Sequence, residues 1–259
     1  HRPVSQVAGR GIEKLRKAGI EVTVGVLEEE CRHLIRRFIT FNTLKRPYIT
    51  LKWAESADGF IDKTAQEKAD HTSNPLTSML VHKKRAEHDA ILVGRHTALL
   101  DNPSIHPELV RQASRASGNR QRIDITPRFG TFQRQNKDIR VYPGIPLSAK
   151  ALTEYISLDF NKDILPQIME VLYQKKIQSL LVEGGSILLQ SFIDSGLWDE
   201  AFIEKAPLRL NNGIQAPSIQ KKHFKLNKIY FGREIMHAVI HKFKDKMWLI
   251  DREKGLVYL

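Results

Sequence analysis

A short apolar run gives way to two glycines and then to a helical pattern at residues 180–189, Leu-Leu-Val-Glu-Gly-Gly-Ser-Ile-Leu-Leu. This order predicts a buried strand, a tight turn and a helix. The free amides of a helix start attract anions, and glycine lets an anion approach the backbone closely. Glu183 ends the strand, at the edge where open α/β sheets bind ligands. An ordinary strand-to-helix turn explains the same residues equally well, so this stretch alone leaves both interpretations open.

Composition limits the class of protein. Of the 259 residues, 41% are hydrophobic and 27% are charged, which is typical of a globular protein. The sequence has neither an apolar run long enough for a membrane-spanning helix nor a signal-peptide pattern at its start. We therefore expect a cytoplasmic protein with no membrane association. The single cysteine, Cys31, has no partner for an internal disulfide, and its helical context predicts a buried thiol.

The formal net charge of +12 favours anionic partners, either nucleic acid or phosphorylated small molecules. The basic residues are scattered over predicted helices and loops, and no recognised nucleic-acid-binding motif accompanies them. We therefore expect no nucleic-acid partner. A basic nucleic-acid-binding module stays open as an alternative from another class, and steeply salt-dependent duplex binding would support it.

The first 45 residues predict too little structure to form a core of their own. A short helix around residues 12–15 is followed by an alternating pattern at 20–26 that predicts a half-buried strand. Residues 28–41 predict an amphipathic helix with Cys31, Leu34, Ile35 and Phe38 on one face. Two helices and one strand bury little apolar surface, so we expect this piece to pack on something else.

Beyond Arg46-Pro47, strand patterns alternate with helix patterns. Strands are predicted at 48–54, 89–94, 179–182 and 199–206, with weaker signals at 122–125, 139–142 and 152–158. Helices are predicted from Ser73 or Asn74 onward, at 164–172 and at 186–193, where Gly196 suits the helix end. The tail at 225–259 predicts two or three antiparallel strands with a last turn at Lys254-Gly255. We expect an α/β fold with a mixed, mostly parallel sheet flanked by helices and antiparallel C-terminal strands.

Several common site motifs are missing from the sequence. Neither a G-x-G-x-x-G dinucleotide fingerprint nor a G-x-x-x-x-G-K-[ST] phosphate loop is present. His237 and His241 are four residues apart in a strand-like context, which places them badly for a shared helical metal site. We therefore assign the two histidines a structural role.

Four motifs in order resemble one known family. Residues 52–59, Lys-Trp-Ala-Glu-Ser-Ala-Asp-Gly, resemble the K-x-A-x-S-x-D-G signature of the reductase domain in the bacterial riboflavin-biosynthesis bifunctional deaminase/reductase family. The other three motifs are at residues 90–104 (A-I-L-V-G followed by D-N-P-S), at 181–185 (L-V-E-G-G) and at 197–200 (L-W-D-E). The resemblance spans residues 46–210. It implies a fold like dihydrofolate reductase, in agreement with the mixed sheet, and a homodimer.

The start of the chain resembles the end of the zinc deaminase domain that precedes this reductase in the same family. The residues concerned lie at 7–12, 19–22 and 26–30. The zinc signature of that domain, H-x-E with P-C-x-x-C, is not in the sequence. We therefore expect residues 1–45 to be a deaminase remnant with linker and residues 46–259 to be the reductase domain, without a metal site or deaminase activity.

The family resemblance implies an NADPH-dependent reduction. The ribosyl group of 5-amino-6-(5-phosphoribosylamino)uracil becomes the ribityl chain, with a phosphorylated pyrimidine as substrate. A reductase that acts on the non-deaminated diaminopyrimidinone is the alternative within the same class, and the deaminase-like start of the chain argues against it.

The resemblance also implies the residues that carry the reaction. The expected catalytic residues are Lys52, Asp101 and Glu183, and the expected substrate-binding residues are Arg85, Ile105 and Glu183. The expected cofactor-binding residues are Ala54, Thr97, Asp101, Gly184, Gly185, Ser186, Ile187 and Leu188.

Each assignment has a plain structural alternative. Lys52 could be a surface lysine, Asp101 a turn former and Arg85 a solvated helix residue, while Glu183 could simply favour the helix dipole. The sequence also departs from the family pattern at His71-Thr72-Ser73 and at His106-Pro107-Glu108, which weakens the expected cofactor ring contact and removes an expected phosphate-binding arginine.

Overall fold

The computed structural model describes residues 9–63, 75–94, 121–127, 137–142, 154–159, 161–220, 224–230 and 232–240. The helices are α1 (Arg10–Lys17), α2 (Glu28–Leu34), α3 (Arg36–Leu44), α4 (Pro75–Ala86), α5 (Ile164–Gln174) and α6 (Ser186–Asp194). The first strands are β1 (Tyr48–Glu55), β2 (Phe60–Asp62), β3 (Ala90–Val93), β4 (Gln121–Pro127), β5 (Lys137–Tyr142) and β6 (Glu154–Leu158). The remaining strands are β7 (Ser179–Glu183), β8 (Glu200–Lys205), β9 (Ile214–Gln215), β10 (Phe224–Tyr230) and β11 (Arg233–Val239).

Nine of these strands form one sheet, in the order β10-β11-β8-β1-β7-β3-β4-β5-β6. The five central strands from β8 to β4 are parallel, and the strands at both edges are antiparallel. β2 and β9 make a separate antiparallel pair. The expected mixed, mostly parallel sheet with antiparallel C-terminal strands is confirmed, as are the weaker strand predictions at β4, β5 and β6. The expected turn at Lys254-Gly255 lies outside the described residues.

One face of the central sheet carries the apolar core. Alternate residues of β1, Ile49, Leu51 and Trp53, point to this face and are almost fully buried. α5 and α6 cover them with Leu165, Ile168, Met169, Leu172, Leu189 and Phe192. Both helices are well terminated: the Asp163 side chain accepts from the Leu165 amide, and Gly196, at φ 62°, ends α6 as expected.

The opposite face of the same strands is polar and charged. β1 presents Thr50 and Lys52 there, β7 presents Glu183, and β8 presents Glu200 and Glu204. The three glutamates are all less than one-tenth exposed. Because burial of an unpaired carboxylate is strongly unfavourable, every one of them needs a donor from the elements that cover this face.

The L-W-D-E motif supplies a buried anchor between the start of β1 and the start of β8. Arg46 donates to both carboxylate oxygens of Asp199, at 2.6 and 2.8 Å, and the Ile49 amide donates to the same carboxylate at 2.8 Å. Both side chains of the pair are less than 10% exposed. Asp199 therefore fixes the chain where it enters β1.

The first 45 residues differ from the prediction in two respects. Residues 20–26 form no strand, and Val24 and Val26 are 60% and 66% exposed. An alternating pattern makes a strand only where a sheet edge accepts its hydrogen bonds, and no described strand pairs with this segment. The prediction of a half-buried strand is therefore wrong.

The predicted helix over 28–41 is divided. α2 ends at Leu34, and Ile35 has φ −100° and ψ 16°, so that α3 begins anew at Arg36. α3 buries Ile39 and Phe41, whereas α2 buries no residue. Cys31 lies on α2 and is exposed, so the expected buried thiol is wrong. None of the helices in the described ranges is long and apolar enough to cross a bilayer.

Asp199→Ala should destabilise the fold by about 3–5 kcal/mol, because it leaves the buried Arg46 guanidinium unpaired. The matched control is Arg32→Ala, which removes a half-exposed ion pair with Glu28 and should change stability by less than about 1 kcal/mol. Urea unfolding monitored by circular dichroism measures both. Equal losses for the two variants would contradict the anchoring role of Asp199.

His88 is another buried polar group of the charged face. Its Nδ1 lies 2.7 Å from the Lys84 carbonyl oxygen, which only accepts, so Nδ1 carries the hydrogen. Its Nε2 lies 2.9 Å from the Thr50 hydroxyl. Burial, and secondly the positive charge of Arg37, lower the pKa of His88 to about 4.

The free energy of unfolding should consequently fall as the pH drops through the interval from about 6.5 to about 4, because the unfolded chain then binds a proton at His88 and the folded chain does not. We expect His88 to contribute about 2 kcal/mol of this fall between pH 7 and pH 5. His88→Gln, which can hydrogen-bond but does not titrate, should flatten the profile by that amount in urea unfolding at several pH values. An unchanged profile would contradict the burial of a neutral imidazole.

Candidate active site

The carboxyl ends of the central parallel strands bring two expected site residues side by side. In the register of the sheet, Lys52 of β1 is paired with Glu183 of β7, and Glu183 is paired in turn with Val93 of β3. Directly paired residues of neighbouring strands point to the same face, so both side chains lie on the charged face. The strand register alone therefore places Lys52 and Glu183 next to each other.

Arg85 of α4 reaches the same place from above the sheet. Its Nε lies 3.1 and 2.9 Å from the two Glu183 carboxylate oxygens, and its Nη2 lies 2.5 Å from Oε2. The Arg85 side chain is 19% exposed and the Glu183 side chain is 10% exposed. A fork-shaped guanidinium matches a carboxylate in this way, and the same fork matches a phosphate. The alternative interpretation of Arg85 as a solvated helix residue is therefore wrong.

Within the described part of the chain, Lys52 is the one cation of this group whose ammonium makes neither a hydrogen bond nor an ion pair. Burial lowers the pKa of Lys52, the carboxylates of Glu183 and Glu204 oppose this shift, and the guanidinium of Arg85 adds to it. The side chain is half-buried, which excludes an ordinary surface lysine. A half-buried cation without a partner is available to bind an anionic or hydroxylated ligand.

Glu204 is a member of the site that sequence reasoning missed. It is 4% exposed, and it accepts from the Thr77 hydroxyl at 2.8 Å and from Arg233 Nε at 3.3 Å. Ala54, an expected cofactor-contact residue, is paired with it in the register of β1 and β8. The sequence shows only that Glu200 and Glu204 lie on one face of β8; the pairing with β1 shows that Glu204 belongs to the site.

The two glycines of the turn differ in the space around them. A Cβ atom at Gly184 would lie 2.9 Å from Leu188 Cδ2 and 3.2 Å from the Gly94 amide nitrogen, so this position has no room for a side chain. A Cβ atom at Gly185 would meet nothing within 4 Å. Gly185 is the residue before α6, and no side chain of the described residues caps that helix. The first amides of a helix without such a cap are available to an anion such as a phosphate group.

The second half of the motif at 52–59 is structural. The Ser56 hydroxyl donates to Asp58, whose carboxylate also accepts from the amides of Leu210 and Asn211. The hydroxyl contributes most to lowering the pKa of Asp58 to about 2. These bonds tie the turn after β1 to the loop after β8, which fixes the rim of the site.

The remaining expected site residues fall elsewhere. Thr97, Asp101 and Ile105 lie outside the described residues, and their roles stay predictions. Ser186, Ile187 and Leu188 form the first turn of α6, where Ile187 is 88% exposed. The described residues contain no cluster of side chains that could hold a metal ion.

Comparison with known proteins assigns the family. Residues 47–230 match the family described as the RibD C-terminal domain. The chain belongs to this family. The resemblance inferred from the four ordered motifs is confirmed.

Relatives of the RibD C-terminal domain family show how much of a longer protein is matched. The chain is 32% identical over 225 residues to the riboflavin biosynthesis protein RibD of Aquifex aeolicus, which covers 82% of this chain and 61% of that protein. It is also 32% identical over 233 residues to the protein of the same name from Bacillus amyloliquefaciens, covering 84% and 60%. The chain thus spans about three fifths of the length of these relatives.

Solved structures of the family have the same fold. A Thermotoga maritima protein described as a diaminohydroxyphosphoribosylaminopyrimidine deaminase/5-amino-6-(5-phosphoribosylamino)uracil reductase matches with a TM-score of 0.67 at 26% identity, covering 90% of this chain and 68% of that one. A RibD structure from Acinetobacter baumannii matches with a TM-score of 0.68 at 23% identity, covering 92% and 70%.

The space around the Gly-Gly turn leads to a pair of contrasting substitutions. Gly184→Ala should lower the free energy of unfolding by about 1–3 kcal/mol, because its Cβ atom overpacks against Leu188 and Gly94. Gly185→Ser should change it by less than about 0.5 kcal/mol, because the space is open and serine is a good residue before a helix. Thermal and urea unfolding compare the two, and equal tolerance would contradict the close approach at Gly184.

Proposed function

We propose that this chain is an NADPH-dependent reductase of riboflavin biosynthesis. In this proposal it reduces the ribosyl group of 5-amino-6-(5-phosphoribosylamino)uracil to the ribityl chain. The observation that carries the proposal is the position of Lys52 beside Glu183, without a partner among the described residues, in a chain of the RibD C-terminal domain family. The Thermotoga maritima protein is described as a reductase of this substrate, which supports the choice.

The described residues suit a phosphate-bearing cofactor. A phosphate group needs close approach to the backbone and free amides, and the turn at Gly184 and Gly185 offers both. In the proposal, the amides from Gly184 to Leu188 bind cofactor phosphates, and Ala54, Thr97 and Asp101 complete the cofactor site. When bound, NADPH supplies a hydride from C4 of its nicotinamide ring.

The substrate side of the proposal uses the charged groups. The ribose ring of the substrate opens to an imine at C1′; addition of a hydride to that carbon and a proton to the nitrogen gives the ribityl amine. Lys52 binds a ribose hydroxyl or the substrate phosphate and orients C1′. Glu183 accepts hydrogen bonds from ribose hydroxyls, while Asp101 and Ile105 contact the substrate from the neighbouring segment.

Arg85 has a more demanding role than the sequence suggested. Its Nε and Nη2 atoms already make three contacts of 2.5–3.1 Å with the Glu183 carboxylate. A substrate phosphate that binds Arg85 therefore shares or replaces this carboxylate. In the proposed reductase, Arg85 is thus paired with Glu183 before the substrate phosphate binds.

Domain organisation, assembly and compartment follow the same proposal. We infer that residues 1–45 are the end of a deaminase-like domain, and the support is that α1 and α2 bury no residue. Residues 46–259 are then the reductase domain. In this proposal the chain forms a homodimer in the cytoplasm and has no deaminase activity.

Sedimentation velocity tests whether the chain is a dimer. A deaminase assay with added zinc tests the expectation that the chain does not deaminate the substrate.

The decisive substitution is Lys52→Met, which removes the cation and keeps the apolar stem. We expect kcat to fall at least about 100-fold, because orientation of the reacting carbon is lost. NADPH binding, measured by fluorescence quenching, should persist. Lys162→Met is the matched control, since Lys162 is exposed and pairs only with Asp159.

Two outcomes would contradict the proposed function. One is the absence of NADPH binding at millimolar cofactor in the wild-type chain. The other is full turnover by Lys52→Met. Faster turnover of the diaminopyrimidinone than of the deaminated uracil would show that the non-deaminated compound is the substrate of this reductase.

A further inference from the structure

A single helix holds both carboxylates that flank Lys52. Arg85, near the end of α4, donates to Glu183, and Thr77, near its beginning, donates to Glu204 at 2.8 Å. Because the two residues are eight positions apart, they lie about 12 Å apart along the helix. α4 therefore lies across β7, β1 and β8 and leaves Lys52 between its two contacts.

The strand register brings Glu204 close to Lys52. Lys52 is paired with Phe202 of β8, and Glu204 is two residues further along the same strand face. Diagonal neighbours of this kind lie within reach of a long side chain. The carboxylate of Glu204 is buried, so water screens its charge only weakly.

Among the described residues, the charged groups nearest to Lys52 come from four elements. β7 contributes Glu183, β8 contributes Glu204, α4 contributes Arg85, and β11 contributes Arg233, which lies 3.3 Å from Glu204. Lys84 of α4 also reaches this face: its ammonium lies 3.9 Å from the centre of the ring of Phe202, the β8 residue paired with Lys52, and 3.5 Å from Glu87. Each cation but Lys52 thus has a described partner on this face.

We propose that Glu204 is a positioning residue for Lys52, and that the Thr77 hydroxyl holds its carboxylate in place for this purpose. Glu204 keeps the Lys52 ammonium charged and directed to the carboxyl ends of the strands. The electrostatic effect on Lys52 is independent of any reaction, whereas its catalytic consequence rests on the proposed reductase function.

The electrostatic effect has a definite sign. Burial lowers the pKa of Lys52, and the carboxylate of Glu204 opposes that shift. Glu204→Gln keeps the size and an acceptor for Thr77 but removes the charge. The pKa of Lys52 should then fall further, by about one unit, as for the loss of one nearby opposite charge.

The first experiment measures Lys52 itself in the full chain, without substrate or cofactor. Acetic anhydride acylates the neutral amine, and mass spectrometry of the Lys52 peptide gives its reactivity as a function of pH. The midpoint for Glu204→Gln should lie about one pH unit below that of the wild type. Glu204→Asp, which restores the charge, should return most of the shift.

Two further variants test the sign and the specificity. Arg233→Gln removes the cation that competes with Lys52 for the Glu204 carboxylate, and it should raise the Lys52 midpoint. This variant keeps the test valid if Glu204→Gln does not fold. Glu200 is a buried carboxylate on the same strand face, and it contacts Thr50 and Arg36 rather than the residues around Lys52. Glu200→Gln should therefore leave the Lys52 midpoint unchanged. Circular dichroism confirms folding of each variant.

The proposal is overturned if the midpoint is the same in the wild type, Glu204→Gln and Arg233→Gln, or if Glu200→Gln shifts it as much as Glu204→Gln. A second readout is the pH profile of kcat, whose alkaline limb should move down with the Lys52 midpoint while the KM for NADPH stays constant. A shifted midpoint without any reductase turnover would support the positioning role and contradict the proposed function. Reductase turnover with an unshifted Lys52 midpoint would support the proposed function and contradict the positioning role of Glu204.

Discussion

The parallel pairing of β1 with β7 on one side and β8 on the other is the constraint on which the molecule depends. It turns Ile49, Leu51 and Trp53 towards α5 and α6 and turns Thr50 and Lys52 to the other face. A shift of one residue would exchange the two sets and place charges in the apolar core. Asp199 and Arg46 fix this register where β1 begins, and Asp58 secures the turn after it.

Charge on the second face is tolerated because each buried carboxylate has a nearby donor. Glu183 is held by Arg85, Glu204 by Thr77 and Arg233, and Glu200 by Arg36. Well-packed apolar side chains would stabilise such a face at least as well as ion pairs do. The concentration of charge under α4 is therefore better explained by the ligand binding that we propose for this face than by stability.

The sequence predicted the main fold because most of its signals are local. The apolar run at 180–182, the two glycines and the α6 pattern specify a strand, a turn and a helix without knowledge of the rest. The family resemblance that rests on the four ordered motifs then implied functional roles for Lys52, Glu183 and Arg85. The errors arose where tertiary context decides: residues 20–26 alternate correctly but have no strand to pair with, and Cys31 lies on a helix that buries nothing.

Glu204 was missed for a related reason. A glutamate in a short strand gives no functional signal until the register shows which lysine lies beside it and which helix covers it. α4 supplies donors to the carboxylates on both sides of Lys52. A tilt or a translation of this helix would therefore lengthen the Thr77–Glu204 and Arg85–Glu183 hydrogen bonds together, and both carboxylates would become available to Lys52 in one movement.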